Sequence, residues 1–328
     1  MHLRCITFDP GRTDDWDELV AAGANGTFLH TRRFLSYHGD RFEDRSLILI
    51  DDRERPVAVF PAALDPANAD IVISHPGITY GGLVHGRAVR GDGVLSALDA
   101  ILNHYRAHGL HALRYKAVPA MYHRWPAQDD LYALFRRHAR LYRRDLSATV
   151  DLACPQPFSQ RRRRGAKRAR SEDVAIVHGL EHLSAFWTVL EQVLCARHGV
   201  CPVHDLAEIR LLAARFPRQI EFIGAARGAE LLAGAVLFRT ETVCHAQYIA
   251  AGEAGSALGA LDLVFETAID QARQCGLRWF DFGISTESQG TVLNSGLHEF
   301  KTGFGAGATT YDFYELPLQS TGSSGPPI

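Results

Sequence analysis

The strongest constraint in this 328-residue chain is that it repeats itself once. In the first half, LILI (47–50) and VAVFPAAL (57–64) flank the polar turn DDRERP and predict a hairpin. In the second half, IEFIGA (220–225) and LLAGAVLFRT (231–240) do the same around ARGAE. Each hairpin is followed by a further apolar strand, IVIS (71–74) or CHAQYIA (244–250), and then by glycines, Gly81 and Gly82 or Gly252 and Gly255. An amphipathic helix comes next. Val94, Leu98, Ile101, Leu102 and Tyr105 share one face of the first, and Leu261, Phe265, Ala268, Ile269 and Ala272 one face of the second. Gly109 and Gly276 are placed as left-handed C-caps, and the strands LHALRYKAV and LRWFDFG follow them. Five elements in one order, twice, predict duplication.

Each half is therefore expected to be an α/β unit, with a helix packed on a mixed sheet. The spacing places a first domain at 1–157, a basic segment and second domain at 158–318, and a flexible tail at 319–328. A hydrophobic content of 46% and a charged content of 22% suit a folded domain with a sizeable core. No apolar run is long enough to span a bilayer, and the first residues lack a secretory h-region. The six cysteines form no CxxC pair. Together these features suit reduced thiols and a cytoplasmic setting.

The two halves are joined by FSQRRRRGAKRAR, where seven of the ten residues from Arg161 to Arg170 are basic. The whole chain carries a net charge of -2, so the rest of it stands at about -9. Arg161, Arg162, Arg163, Arg164, Lys167, Arg168 and Arg170 fall in a helix-compatible run. They suit contact with phosphates, whether of RNA, a nucleotide-linked substrate or coenzyme A. They equally suit a solvated helix whose arginines pair with the acidic domains. No aromatic residue is interleaved to stack on bases.

The order hairpin, strand, glycine turn, helix, strand resembles the core of the GNAT acyltransferase fold. Its tandem repetition around an Arg/Lys-rich segment resembles the Fem-type two-domain GNAT transferases. Local strings share the likeness: TFLHTRRFLSYHGDRF (27–42), SHPGITYGGLV (74–84), PVHDLAEI (202–209) and, most distinctively, DFGISTESQGTVLNSGLHEFKTGFGA (281–306). The resemblance implies tandem GNAT-like domains that form an amide by moving an activated acyl group onto an amine. The donor it implies is aminoacyl-tRNA as in Fem-type enzymes, or acyl-CoA as in ordinary GNAT enzymes. The expected acceptor is the amine of a small molecule, a peptide or a nucleotide-linked compound, or of an amino sugar in the acyl-CoA case.

The GNAT pyrophosphate pattern, Gln/Arg-x-x-Gly-x-Gly/Ala, is incomplete in both halves. AGEAGSALGA has Gly255 and Gly259 but no Arg or Gln three residues before Gly255, and Arg90-x-x-Gly93 fails at Leu95. With the basic block, this favours aminoacyl-tRNA as co-substrate and no bound cofactor. A non-catalytic RNA-binding module is a further reading of the same block. For the chemistry, Lys301 aligns with a Fem-type lysine and would steady an oxyanion or hold a phosphate. Asp281, among Trp279, Phe280 and Phe282, is a candidate proton acceptor. His204, just outside a helix opened by the capping box Asp205-x-x-Glu208, is another. His75, Tyr80, Gln247, Tyr248, Ser285, Glu287 and Asn294 are candidate substrate contacts on strand ends and loops. Cys195, His198, Cys201 and His204 are too compactly spaced for an easy zinc tetrahedron, so no metal is expected. No GxSxG, Walker or HExxH motif supports a hydrolase, an ATP-binding enzyme or a metalloprotease.

Overall fold

The computed structural model describes residues 2–318, with the side chains of Arg197 and His198 outside the description. The expected tail at 319–328 lies outside the described residues. The elements in chain order begin with β1 (Arg4–Thr7), α1 (Thr13–Ala22), α2 (Arg32–Leu35), β2 (Leu47–Ile50), β3 (Pro56–Phe60), β4 (Ala63–Asp65), β5 (Asn68–Ile73) and β6 (Val84–His85). They continue with α3 (Asp92–Ala107), β7 (Ala112–Lys116), α4 (Asp129–Arg136), β8 (Arg140–Asp151), α5 (Gln160–Ser171), β9 (Ala175–His178), α6 (Leu183–His198) and α7 (Leu206–Arg215). The remainder are β10 (Ile220–Arg227), β11 (Glu230–Arg239), β12 (Val243–Ala251), α8 (Glu253–Leu258), α9 (Ala260–Gln274), β13 (Trp279–Ile284), β14 (Thr286–Glu287), β15 (Val292–Leu293), α10 (Ser295–Thr302) and β16 (Gly307–Pro317). None of the described helices is long and apolar enough to cross a membrane.

Two compact units result. Among the described residues, one holds the chain up to Arg144 together with Tyr311–Leu318, and the other holds Asp145–Thr310. The division differs from the expected one at 157/158. It falls inside β8 and again inside β16, so the first unit takes back the end of the chain.

The duplication is visible within each unit. In the first, β4 pairs antiparallel with β5, β5 pairs parallel with β7 across the α3 crossover, and β16 pairs antiparallel with β7. In the second, β11 pairs antiparallel with β12, β12 parallel with β13 across α9, and β8 antiparallel with β13. Gly109 and Gly276 both sit at φ 77°, the left-handed conformation expected of the two C-caps. The apolar face of α3 packs with Leu47, Phe60, Val72 and Leu113, while that of α9 packs with Val150, Ala235, Cys244, Phe280 and Phe282.

The halves diverge at Pro61. The apolar run 57–64 does not form one strand: Pro61 has no N–H for a ladder, and the run splits around it. β3 therefore joins a separate sheet in the order β1-β2-β3-β6, while β4 starts the sheet that α3 covers.

The basic segment forms α5, N-capped by Ser159, which accepts from the Arg162 N–H. Arg162, Gly165, Ala166 and Ala169 face inward against α9, at helical spacing. A Cβ on Gly165 would lie 1.7 Å from the Asp262 carboxylate, and one on Gly259, at φ 77°, 2.6 Å from the Gly165 carbonyl. The two helices are therefore in backbone contact at Gly165 and Gly259. Arg162 Nη1 donates to Asp262 Oδ1 at 2.6 Å, with both side chains under 10% exposed, and the guanidinium lies over Phe300 and Phe304. Removing one partner of a buried pair leaves an uncompensated charge. Arg162→Met is thus expected to lower unfolding free energy by about 3–5 kcal/mol. The double variant Arg162→Met/Asp262→Leu should recover most of that loss, as urea denaturation of both would measure.

Candidate active site

In the second unit, the ladder between β12 and β13 is short. Val243–His245 pairs with Trp279–Asp281, although β12 runs on to Ala251 and β13 to Ile284. At the last rung, His245 faces Asp281, and His245 Nδ1 donates to Asp281 Oδ2 at 2.7 Å.

Asp281 has no solvent exposure. Its Oδ1 accepts from Ser147 Oγ at 2.5 Å and from Thr149 Oγ1 at 2.9 Å, and Thr149 Oγ1 is a further 2.7 Å from Thr309 Oγ1. Both hydroxyls reach one carboxylate because β13 carries an extra residue there. Asp281 pairs with Thr149 and Ile284 with Ser147, so three steps on β13 match two on β8. Gly283 takes up that bulge at φ 74°, and a Cβ on it would stand 3.2 Å from the His245 ring.

Lys301, in the last turn of α10, is also buried. Its Nζ donates to the carbonyls of Gly283 at 2.9 Å and Ile284 at 2.6 Å. Burial lowers its pKa to about 8, while the Asp281 charge works in the opposite direction. Two of three ammonium protons are thus committed, and the third remains for a ligand.

A second bulge lies on β12. Leu237 pairs with Ala246 and Val236 with Tyr248, so Gln247 is the inserted residue. Cys244 and Ala246 belong to the core under α9, and so do Ile249 and Ala251. The insertion therefore places His245 and Tyr248 on one face, the face opposite α9. Tyr248 meets Trp187 of α6 and His204 there. The backbone N–H of His204 donates to the Tyr248 hydroxyl at 3.1 Å, and His204 Nδ1 lies 2.5 Å from the same oxygen. His204 Nδ1 and the Tyr248 hydroxyl thus engage each other. Burial raises Tyr248 to about 12, which keeps the phenol protonated.

The expected site residues separate as follows. Asp281 and Lys301 come together with Ser285, which is buried at the end of β13. Glu287 and Asn294 form a neighbouring polar pair, with Asn294 Nδ2 donating to Glu287 Oε1 at 2.7 Å and Asn294 N-capping α10. His204, Gln247 and Tyr248 lie further along β12. His75 and Tyr80 belong to the first unit, where residues 74–82 fold back on β7. There the Lys116 N–H donates to Ser74 Oγ, the Gly81 N–H to the Lys116 carbonyl, and Lys116 Nζ to the carbonyls of His75 and Ile78. The strand end equivalent to His245–Asp281 is thus filled by the first unit's own backbone.

Among the seven cations of α5, Arg162 turns inward to Asp262, Arg168 donates to the Ala257 carbonyl, and Arg170 pairs with Glu266. Arg162 is therefore corrected from a phosphate ligand to a buried packing cation. Arg161, Arg163, Arg164 and Lys167 remain on the exposed face. Among the described residues no group of three His, Cys, Asp or Glu is placed to hold a metal ion, and the His198 side chain lies outside them. His245, Ser147 and Thr149 were not singled out by sequence reasoning. The pairing of β8, β12 and β13, which brings them together, is not visible in any one segment.

Residues 157–302, which contain α5, both bulges and Lys301, match the family model described as the acetyltransferase (GNAT) domain. The match lies wholly within the second unit. The fold of the whole chain is similar to that of FemX, with a TM-score of 0.66 at 12% identity over 94% of this chain and 96% of that one. It is also similar to L-PGS from Bacillus licheniformis, with a TM-score of 0.62 at 13% identity over 95% and 92%. A third likeness is to the C-terminal domain of a putative lysylphosphatidylglycerol synthetase from Agrobacterium fabrum, with a TM-score of 0.60 at 11% identity over 94% and 91%. No curated protein shows significant sequence similarity to it. The whole-chain fold is thus similar to that of FemX and L-PGS. The second unit depends on Gly283 adopting a positive φ beside His245. Gly283→Ala is expected to cost about 1–3 kcal/mol of stability, measured in urea, through strain at that position.

Proposed function

We propose that the protein forms an amide by transferring an aminoacyl group from aminoacyl-tRNA to an amine of a small-molecule, peptide or nucleotide-linked acceptor. The reaction is placed at the end of the β12–β13 ladder. The observation that carries this reading is the buried Lys301 ammonium, anchored on two carbonyls at that ladder end with one proton to spare. A neutral amine attacks the ester carbonyl carbon. The C–N bond forms as the carbonyl electron pair moves to oxygen, and Lys301 steadies that oxyanion. As the carbonyl re-forms, the C–O bond breaks and the ribose oxygen leaves, taking a proton to become the hydroxyl.

The choice of donor is supported at the start of α9. An ordinary pyrophosphate cradle uses a helix N-terminus with positive potential. Here the first turn is occupied by the buried Arg162–Asp262 pair, and the glycine before the helix is packed on α5. The exposed Arg161, Arg163, Arg164 and Lys167 offer an alternative phosphate-binding face. Reversing Arg163, Arg164 and Lys167 to Glu should raise KM for charged tRNA at least tenfold at low salt, with the difference narrowing as salt rises, and leave the fold unchanged by circular dichroism. A donor screen with mass detection of the product tests the donor directly. Amide formation from charged tRNA pools that is abolished by RNase supports the proposal. Transfer from acyl-CoA alone overturns it.

The lysine also sets a pH dependence. Oxyanion stabilisation needs the ammonium, which is present below about 8 and lost as pH rises through that value. After correction for the fraction of neutral acceptor, kcat should fall on the alkaline side of about 8. Lys301→Met should lower kcat by about 10²–10³-fold and remove this limb from the residual activity.

A further inference from the structure

We propose that His245 is the catalytic base that takes the proton from the acceptor amine, with Asp281 as its positioning residue. The inference rests on the acyltransfer reading above and adds the residue that reading leaves unassigned.

Amide formation from an amine releases one proton. As the C–N bond forms, the amine nitrogen becomes positively charged, and a lone pair nearby must accept its proton. Asp281, His204 and His245 differ in the lone pair that each can offer. Asp281 is fully buried, and both of its oxygens are engaged, one by Ser147 and Thr149 and the other by His245. His204 Nδ1 is bonded to the Tyr248 hydroxyl, so that ring nitrogen is already engaged within the protein.

His245 Nδ1 faces a carboxylate oxygen at 2.7 Å, which can only accept, so the proton resides on Nδ1 and the lone pair on Nε2. The side chain is 12% exposed, against 0% for its carboxylate partner, so the ring is the part of the pair that a substrate can reach. The ring stands where β12 and β13 cease to pair, beside the strand whose Gly283 and Ile284 carbonyls hold Lys301.

The surroundings favour this assignment. The Ser147 and Thr149 hydroxyls fix one carboxylate oxygen and leave the other for His245, so the imidazole is held in one orientation and tautomer. The carboxylate also stabilises the imidazolium that forms on proton uptake. Gly283 keeps a Cβ away from the ring, where it would approach within 3.2 Å. The proton is passed on from His245 to the departing ribose oxygen or to water, which closes the balance.

Two measurements test the assignment. The first reads the tautomer by histidine ¹⁵N chemical shifts in the wild type, in His245→Gln and in Asp281→Asn. The expected result is one histidine with the proton on Nδ1, absent in His245→Gln and shifted toward the Nε2–H form in Asp281→Asn. An Nε2–H tautomer for His245 in the wild type overturns the proposal without reference to any donor.

The second measures amide formation with a primary alkylamine and with hydroxylamine, whose nitrogen is neutral and weakly basic at pH 7. His245→Gln is expected to lose about 10²–10⁴-fold in kcat/KM with the alkylamine, and to stay within about tenfold of wild type with hydroxylamine. Equal loss with both acceptors, or no loss with either, overturns the assignment to proton removal. A wild-type protein that forms no amide from either charged tRNA or acyl-CoA, with the Nδ1–H tautomer in place, overturns the acyltransfer reading instead.

Discussion

A carboxylate with no solvent exposure is costly unless every lone pair it directs at the protein is met. Asp281 is such a group, and much of the second unit's local irregularity satisfies it. The bulge in β13 brings two hydroxyls of β8 to one oxygen, and the parallel rung with β12 brings an imidazole to the other. The same bulge puts Gly283 in the left-handed region and turns its carbonyl toward Lys301. Removing this carboxylate would take from Ser147, Thr149 and His245 the acceptor they share and would remove the field that offsets the cost of burying the Lys301 ammonium. The ladder end, the bulge and the buried lysine form one interdependent arrangement.

The basic helix solves a different problem. Backbone contact between α5 and α9 requires small residues on the inner face of α5, and Gly165, Ala166 and Ala169 supply them. Arg162 is the long cation on that face, and Asp262 and two phenylalanine rings neutralise and cover it. The dense positive charge therefore has two roles at helical spacing. One side anchors the helix, with Arg168 and Arg170 assisting at its far end, while the other presents Arg161, Arg163, Arg164 and Lys167 to solvent. The alternatives drawn from the sequence, pairing with the protein or meeting phosphates, concern different faces of one helix.

The duplication was readable because it rests on local chemistry. Apolar periodicity, polar turns and glycines at the helix ends predicted the order of elements, and Gly109 and Gly276 adopt the left-handed caps expected of them. Pro61 was equally visible, yet its consequence was not. A missing N–H breaks a strand, but which sheet each fragment joins depends on long-range pairing. The boundary between units is a similar case: β8 and β16 each cross it, and nothing in their composition marks the crossing.

The candidate site divides in the same way. Asp281 and Lys301 stood out in one distinctive glycine-rich string, so their chemistry could be anticipated from residue type and neighbours. His245 sits in an ordinary apolar strand, and Ser147 and Thr149 lie more than 130 positions from the carboxylate they serve. By itself the sequence determined the repeated α/β unit, the basic helix and two of the groups that meet at the candidate site, because periodicity, capping and charge act over a few residues. The tertiary structure decided which histidine meets the buried carboxylate, which arginine is buried and where the β12–β13 ladder ends. Those outcomes depend on strand register and bulges, where one inserted residue changes the face on which every later side chain falls.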